Sequence, residues 1–171
     1  APLLLVGRSL RGERPDSARI AQLRGRLKQT AMALPQVESA SRQTAVPFWS
    51  QSSTRLFVEG IDSVSKLGQF DYAAVSPGYV RSMGTRIVRG RGIESTDQPG
   101  SPLVMVISEA MGRVLWPGRD PMGQCVRVGA DTTPCTTVVG IAENIKEAGL
   151  TGDSSYFWYA PIAQIRVGSG G

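Results

Sequence analysis

Histidine is absent from the 171-residue chain. This absence removes the most frequent general base, the Ser-His-Asp and Cys-His catalytic arrangements, and the most frequent side-chain ligand of transition metals. The chain also lacks a Walker A loop, the glycine pattern of dinucleotide-binding folds and an HExxH motif. Carboxylate and lysine chemistry are still available, so these absences weaken an enzymatic interpretation without excluding it. We expect no catalytic residues, no cofactor and no metal site.

Long hydrophobic runs are also missing. No segment approaches the roughly 18 consecutive apolar residues that a membrane-spanning helix needs, and Leu3–Val6 is too short even for the core of a signal peptide. The composition, 41% hydrophobic and 19% charged, is ordinary for a globular domain. We therefore expect a soluble domain without a targeting segment, and any membrane helices that belong to it would lie outside this chain.

Acidic residues are outnumbered by basic ones, 14 against 19, which gives a net charge of +5. A basic surface can attract nucleic acid or anionic lipid headgroups. Most of the basic residues are arginines scattered along the chain, and the Arg-Gly-Arg-Gly segment at 89–92 occurs once, which favours a turn over an RNA-binding repeat. We expect no nucleic-acid partner. The charge indicates a solvated surface or, as the alternative, a surface near lipid.

Cysteine is scarce, with only Cys125 and Cys135 present. Alternating and β-branched residues flank the turn residues Gly129–Asp131, which predicts an antiparallel hairpin that brings the two sulfurs close together. A structural disulfide between them would be typical of a protein outside the cytosol, and two free buried thiols are the alternative. Pro134 cannot donate to a strand ladder, so we expect a loop just before Cys135.

Hydrophobic periodicity predicts short strands with few helices, an α+β fold. Apolar residues on one helical face predict a helix from about Ser17 to Leu34, with strands at Leu3–Val6 and Val37–Val46 that complete a split βαβ unit. Ser76 is the expected N-cap of one short helix, and Ser108 of another that runs to about Trp116. Further strands are predicted at Thr54–Gly60, Gln69–Val75, Ile87–Val88, Leu103–Ile107, Val138–Ala142 and Tyr156–Tyr159.

Aromatic residues make up only 6% of the chain, and they cluster at two places. The strand Tyr156–Tyr159 could line a ligand groove, but alternation along a strand favours one buried and one exposed face. Phe48 and Trp49 follow Pro47 in a predicted loop without periodic partners, so they are candidates for contact with a partner. The acidic residues occur singly, and no spacing forces two of them together.

Several segments carry a further signal through their order along the chain. They are Leu34–Ala40, Val75–Gly84, Arg89–Ile93, Val106–Met111 and Trp116–Gly123. Together they resemble the MacB-like periplasmic core domain of FtsX-type ABC transporter permeases. The resemblance covers roughly residues 35–162.

The resemblance implies a fold with a porter lobe of two βαβ-like halves and a mixed α/β sabre lobe inserted between them. By this likeness, residues 1–46 form the first porter-like half, 47–167 the sabre-like lobe with a return strand, and 168–171 a flexible tail. Most of the second porter half would be missing.

The resemblance also implies a function, namely an extracytoplasmic domain at the bacterial inner membrane that couples membrane-helix movement to substrate export or partner engagement. Its partners would be the permease's transmembrane helices, a cytoplasmic ATP-binding subunit reached through them, and a second permease copy or a periplasmic protein. The alternative is a periplasmic ligand- or lipid-binding module that uses the aromatic strand and the Phe48–Trp49 loop.

The cysteine pattern predicts the thiol content of the native protein. We expect no thiol to react with Ellman's reagent in non-reduced protein, even after denaturation, and two to react after reduction. Two reactive thiols in denatured, non-reduced protein would contradict the disulfide and weaken the assignment to an oxidising compartment.

Overall fold

The computed structural model describes Val6 and residues 16–43, 52–144 and 156–165. Leu3–Leu5 of the first predicted strand, residues 44–46 of the second, the Phe48–Trp49 pair and the tail 168–171 lie outside the described residues. Val6, the end of the first predicted strand, is exposed and forms no strand. The chain forms two compact units, Ala1–Ser41 and Arg42–Gly171.

The first unit contains the helix α1, Ser17–Met32. Asp16 caps it, because its carboxylate accepts the backbone N–H of Arg19 at 2.7 Å. The predicted helix is therefore confirmed, two residues shorter than expected. The predicted strand that begins at Val37 is wrong for residues 37–42, which form no strand. That segment is rich in serine and buries little apolar surface that could offset the entropy lost on ordering it.

The second unit is built on a mixed sheet of eight strands, which confirms the α+β class. The order across the sheet is β1-β3-β8-β5-β7-β6-β2, and β4 also pairs with β7. The strands are β1 (Ser52–Ser53), β2 (Leu56–Phe57), β3 (Phe70–Val75), β4 (Ile87–Gly90), β5 (Val104–Ser108), β6 (Cys125–Val128), β7 (Cys135–Ala142) and β8 (Tyr156–Pro161). The helices α2 (Tyr79–Ser82) and α3 (Glu109–Leu115) and a 3-10 turn (Val64–Leu67) complete it.

The strand β5 is the most deeply buried element. It pairs in parallel with β7 and antiparallel with β8, and all five of its residues are buried. Met105 and Ile107 pack in one hydrophobic cluster with α3, whereas Val104 and Val106 pack in a second cluster with α2. The sheet therefore has an apolar core on each face, as a continuous apolar strand predicts.

The aromatic strand β8 is buried on both faces, so the predicted exposed face is wrong. Trp158 is 1% exposed and stacks on Tyr72 at a centroid distance of 4.7 Å. Phe157 and Tyr159 lie in the other cluster, with their rings 5.0 Å apart edge to face. Both faces are covered because each lies in one of the two hydrophobic clusters that also bury β5, while β3 and β5 pair along its edges.

The two predicted N-caps have different outcomes. Ser108 caps α3 as expected, and its hydroxyl accepts N–H groups from Met111 and from Phe157 of β8, both at 3.2 Å. Ser76 does not cap α2, which begins after Gly78 at a positive φ of 80°. Its hydroxyl instead accepts the backbone N–H of Arg42 at 2.7 Å. The tertiary contact replaces the local one.

The strand β7 changes partners along one edge. Its first residues pair with β6, and its last residues pair with β4. At the change, Gly90 lies opposite Gly140, and the Arg91 backbone crosses directly over Gly140. A Cβ at Gly140 would clash with the Arg91 carbonyl oxygen. Only glycine allows the two strands to approach this closely.

The substitution Gly140→Ala tests this close approach. We expect it to lower the free energy of unfolding by at least about 2 kcal/mol, because the crossing backbone must move to accept the methyl group. Urea denaturation followed by circular dichroism measures the change. Gly92→Ala is the matched control, because its nearest non-neighbouring atom would lie at 4.0 Å. A Gly140→Ala protein as stable as that control would contradict the proposed clash.

Candidate functional site

The two cysteines lie in the hairpin of β6 and β7. Val126 pairs with Thr136 and Arg127 with Cys135, which brings the Cα atoms of Cys125 and Cys135 to 5.4 Å in a disulfide. Residues 129–134 form the turn between the strands, with Pro134 outside the ladder as predicted. The disulfide therefore joins the two strands at the base of an irregular tip.

A groove of about 440 Å³ lies beside α3 and next to β4. Its apolar part includes Val88 of β4, Ile141 of β7, and the segment Trp116–Pro117 that ends the helix. Pro121 closes one side. A Cβ at Gly112 would lie only 3.0 Å from the Pro121 ring, so this glycine lets the loop pack directly on the helix.

The loop after α3 is held in place by hydrogen bonds at Asp120. Its carboxylate forms two parallel bonds with Arg89 of β4, at 3.0 and 2.8 Å. The carboxylate also accepts the backbone N–H of Met122 at 3.0 Å. The backbone carbonyl of Asp120 accepts an N–H of the Gln124 side-chain amide at 3.0 Å. The hydrogen bond from Arg89 lowers the pKa of Asp120. The sequence did not indicate this pair, because 31 residues separate its members.

The rim of the groove carries more positive than negative charge. Arg89, Arg113 and Arg119 line it together with one acid, Glu109. Asp120 pairs with Arg89. Within the described ranges, neither Arg113 nor Arg119 forms an ion pair, and both are exposed.

A second electrostatic cluster follows β4. The guanidinium of Arg91 forms two hydrogen bonds of 2.9 Å with Asp97, which is 4% exposed. The Asp97 carboxylate also accepts the Glu94 backbone N–H at 2.8 Å. Burial acts to raise the pKa of Asp97, but the hydrogen bonds from Arg91 and from the Glu94 backbone outweigh it and lower the pKa. Nothing in their spacing along the sequence indicated that Glu94 and Asp97 meet around one arginine.

This cluster fixes the loop that follows β4. Both carboxylate oxygens of Asp97 accept hydrogen bonds from Arg91. Across the parts of the chain that the structure describes, no three Cys, Asp or Glu side chains come together as metal ligands. Within the same parts, no helix has the length and apolar character that crossing a membrane requires.

Comparisons with known proteins identify the type of domain. The sequence profile described as the MacB-like periplasmic core domain matches residues 5–170. Among curated proteins, none matches the chain significantly.

Solved structures share the fold at low sequence identity. The periplasmic region of MacB from Actinobacillus actinomycetemcomitans superposes with a TM-score of 0.56 at 18% identity, over 80% of this chain and 53% of that one. The extracellular domain of the noncanonic ABC-type transporter YknZ from Gram-positive bacteria gives 0.54 at 15% identity, over 78% and 59%. The chain thus spans little more than half the length of these structures.

The Arg91–Asp97 pair predicts a pH-dependent contribution to stability. We expect Asp97→Asn to lower the free energy of unfolding at pH 7 by about 2 kcal/mol, because it weakens hydrogen bonds to a charged group. The pKa of Asp97 is lower in the folded protein than its ordinary value of 3.8. Its stabilisation is therefore complete above that value and is lost as the pH falls through the folded-state pKa.

Urea titrations of both proteins between pH 7 and pH 2.5 measure this difference, which should shrink at the acid end. Asp131→Asn is the control, because Asp131 is exposed at the hairpin tip and forms no ion pair among the described residues. A difference that stayed constant down to pH 2.5 would show that the charge of Asp97 is not involved.

Proposed function

Because this chain belongs to the family of MacB-like periplasmic core domains, we propose that it is the extracytoplasmic part of an ABC transporter permease. In this role it passes movement of the membrane helices to a substrate or partner outside the membrane, and it catalyses no reaction itself. ATP hydrolysis takes place in a cytoplasmic subunit connected to it through the permease's transmembrane helices.

The observation that carries this proposal is the family match along almost the whole chain, residues 5–170. The two superposed proteins support it, since their descriptions name a periplasmic region and an extracellular domain of transporters. The disulfide between Cys125 and Cys135 is consistent with an oxidising compartment.

The construction of the second unit suits mechanical transmission. Its sheet is buried on both faces, β7 is paired along both edges, and the disulfide joins β6 to β7. Close packing makes such a core resist deformation, so a displacement at one end reaches the other end with little loss. A flexible module would absorb the same displacement.

The division into lobes is part of this proposal. Residues 1–46 would be the first porter-like half and residues 47–167 the sabre-like lobe with its return strand. Phe48 and Trp49 then fall where one lobe passes into the other, so contact with a partner there remains our hypothesis for them.

A ligand-binding role for the aromatic strand has less support. Phe157, Trp158 and Tyr159 are each at most 4% exposed, so no ligand reaches them without unfolding of the core. A lipid- or ligand-binding role would have to use another surface.

The test uses the intact permease in lipid nanodiscs with its ATP-binding subunit. Lys66 and Ser95 are exposed positions in the second unit. Both native cysteines of this chain are paired, so once any cysteines elsewhere in the permease and its ATP-binding subunit are replaced, a cysteine introduced at either position gives a specific spin-label site. We expect ATP to change the distance from each label to a paramagnetic lipid headgroup, while the distance between the two labels stays constant.

Two controls accompany this measurement. With an ATP-binding subunit that cannot hydrolyse ATP, the distance from each label to the lipid headgroup should not cycle between two values. The isolated chain should neither bind nor hydrolyse ATP. Normal ATP turnover without any movement of either label relative to the lipid would overturn the proposal. A change in the distance between the labels would show that the unit deforms and does not transmit movement as a rigid body.

A further inference from the structure

We propose that the groove beside α3, formed by Val88, Trp116, Pro117, Pro121 and Ile141 and flanked by Arg113 and Arg119, binds an acidic, partly apolar segment of a partner protein. The inference goes beyond the proposed function, because it concerns a surface of the chain alone. Whether the groove binds such a segment does not depend on whether the domain transmits movement.

The apolar part of the groove supplies the anchor for such a segment. Val88 is 39% exposed although it is a large hydrophobic residue in a strand. It lies in the same groove as Pro117 and Pro121. An apolar side chain placed here would cover apolar surface that now faces water, which favours binding.

The charges at the rim determine the sign of the partner. Arg89 is held by Asp120 in two hydrogen bonds, so its charge is matched within the domain. Arg113 and Arg119 have no acidic partner among the residues that the structure describes. Only Glu109 among the lining residues opposes them. Carboxylates of a bound segment would pair with these guanidinium groups through charge-assisted hydrogen bonds.

The groove is also positioned rigidly. Ser108 joins the start of α3 to β8, Gly112 packs against Pro121, and Asp120 ties the following loop to β4. A site that is ordered before binding loses little entropy when a ligand binds, which favours affinity.

A protein segment fits these features better than a lipid surface. Arg113 and Arg119 flank a groove of about 440 Å³ that is open to solvent along one side, so an extended chain segment can lie along it. A membrane surface is flat and is attracted by larger basic clusters, typically of four or more residues. The groove instead suits one or two apolar side chains with carboxylates beside them.

The experiment uses the chain itself and a fluorescein-labelled dodecapeptide of alternating glutamate and leucine. Fluorescence polarisation measures binding in low salt, and amide chemical shifts locate it. We expect saturable binding that weakens with added salt and shift changes concentrated in residues 109–121 and in β4. A lysine–leucine peptide should not bind, and a glutamate–serine peptide should bind more weakly.

The variant Arg113→Glu/Arg119→Glu tests the charges, and we expect it to weaken binding by at least about tenfold. Arg55→Glu/Arg81→Glu is the matched control, since it makes the same charge change at two exposed arginines outside the groove. Val88→Ser tests the apolar anchor and should weaken binding without a change in charge. Thermal unfolding of each variant establishes that it is folded before binding is compared.

Three outcomes would overturn the inference. One is equal loss of binding in both double variants, which would mean attraction to overall charge. Another is shift changes that map away from the groove. The third is stronger binding to phosphatidylglycerol vesicles than to the peptide, with the same dependence on Arg113 and Arg119, which would assign the groove to lipid. None of these results bears on whether ATP moves the domain.

Discussion

The second unit depends on burying both faces of β5. Its residues Val104–Ser108 are apolar except for the last, and a strand of this kind is stable only when layers cover both sides. That requirement explains why helices lie over opposite faces of the sheet. Along its edges, β5 pairs in parallel with β7 and antiparallel with β8. Ser108 is the one polar residue of this strand. Its buried hydroxyl accepts one N–H group at the start of α3 and one from β8, and so connects the three elements.

Much of this arrangement could be predicted because its signals are local. The apolar run before Ser108, the turn residues between the cysteines and the helical spacing of α1 each act within a few residues, and each is confirmed. The wrong predictions concern residues whose contacts are made with partners distant in sequence. Ser76 carries an ordinary N-cap signal, but its hydroxyl bonds with Arg42, which lies 34 residues away. The segment 37–42 alternates like a strand, but pairing depends on partners that a local pattern does not specify.

The candidate site was less predictable than the fold for the same reason. Its groove combines β4, β7, α3 and a loop, so no single motif encodes it. The Trp116–Gly123 segment resembles the MacB-like family, and part of it lines the groove. That resemblance does not indicate the charge of the groove's rim. Among the residues that the structure describes, Asp120 pairs with Arg89 and not with Arg113 or Arg119. Such a choice between nearby arginines depends on three-dimensional placement, which a local pattern does not specify.

The place of β8 in the sheet has a consequence for how the protein is made. This strand, the last among the described residues, lies between β3 and β5, and Phe70 of β3 pairs with Tyr156, about half the chain length away. Without β8, β1 and β3 are separated from the other strands. A chain that emerges from its N-terminus cannot close this sheet until residues 156–161 have appeared, so folding is completed late. Until then β3 and β5 each have an unpaired apolar edge. During this period the chain is most prone to aggregate and depends most on chaperones.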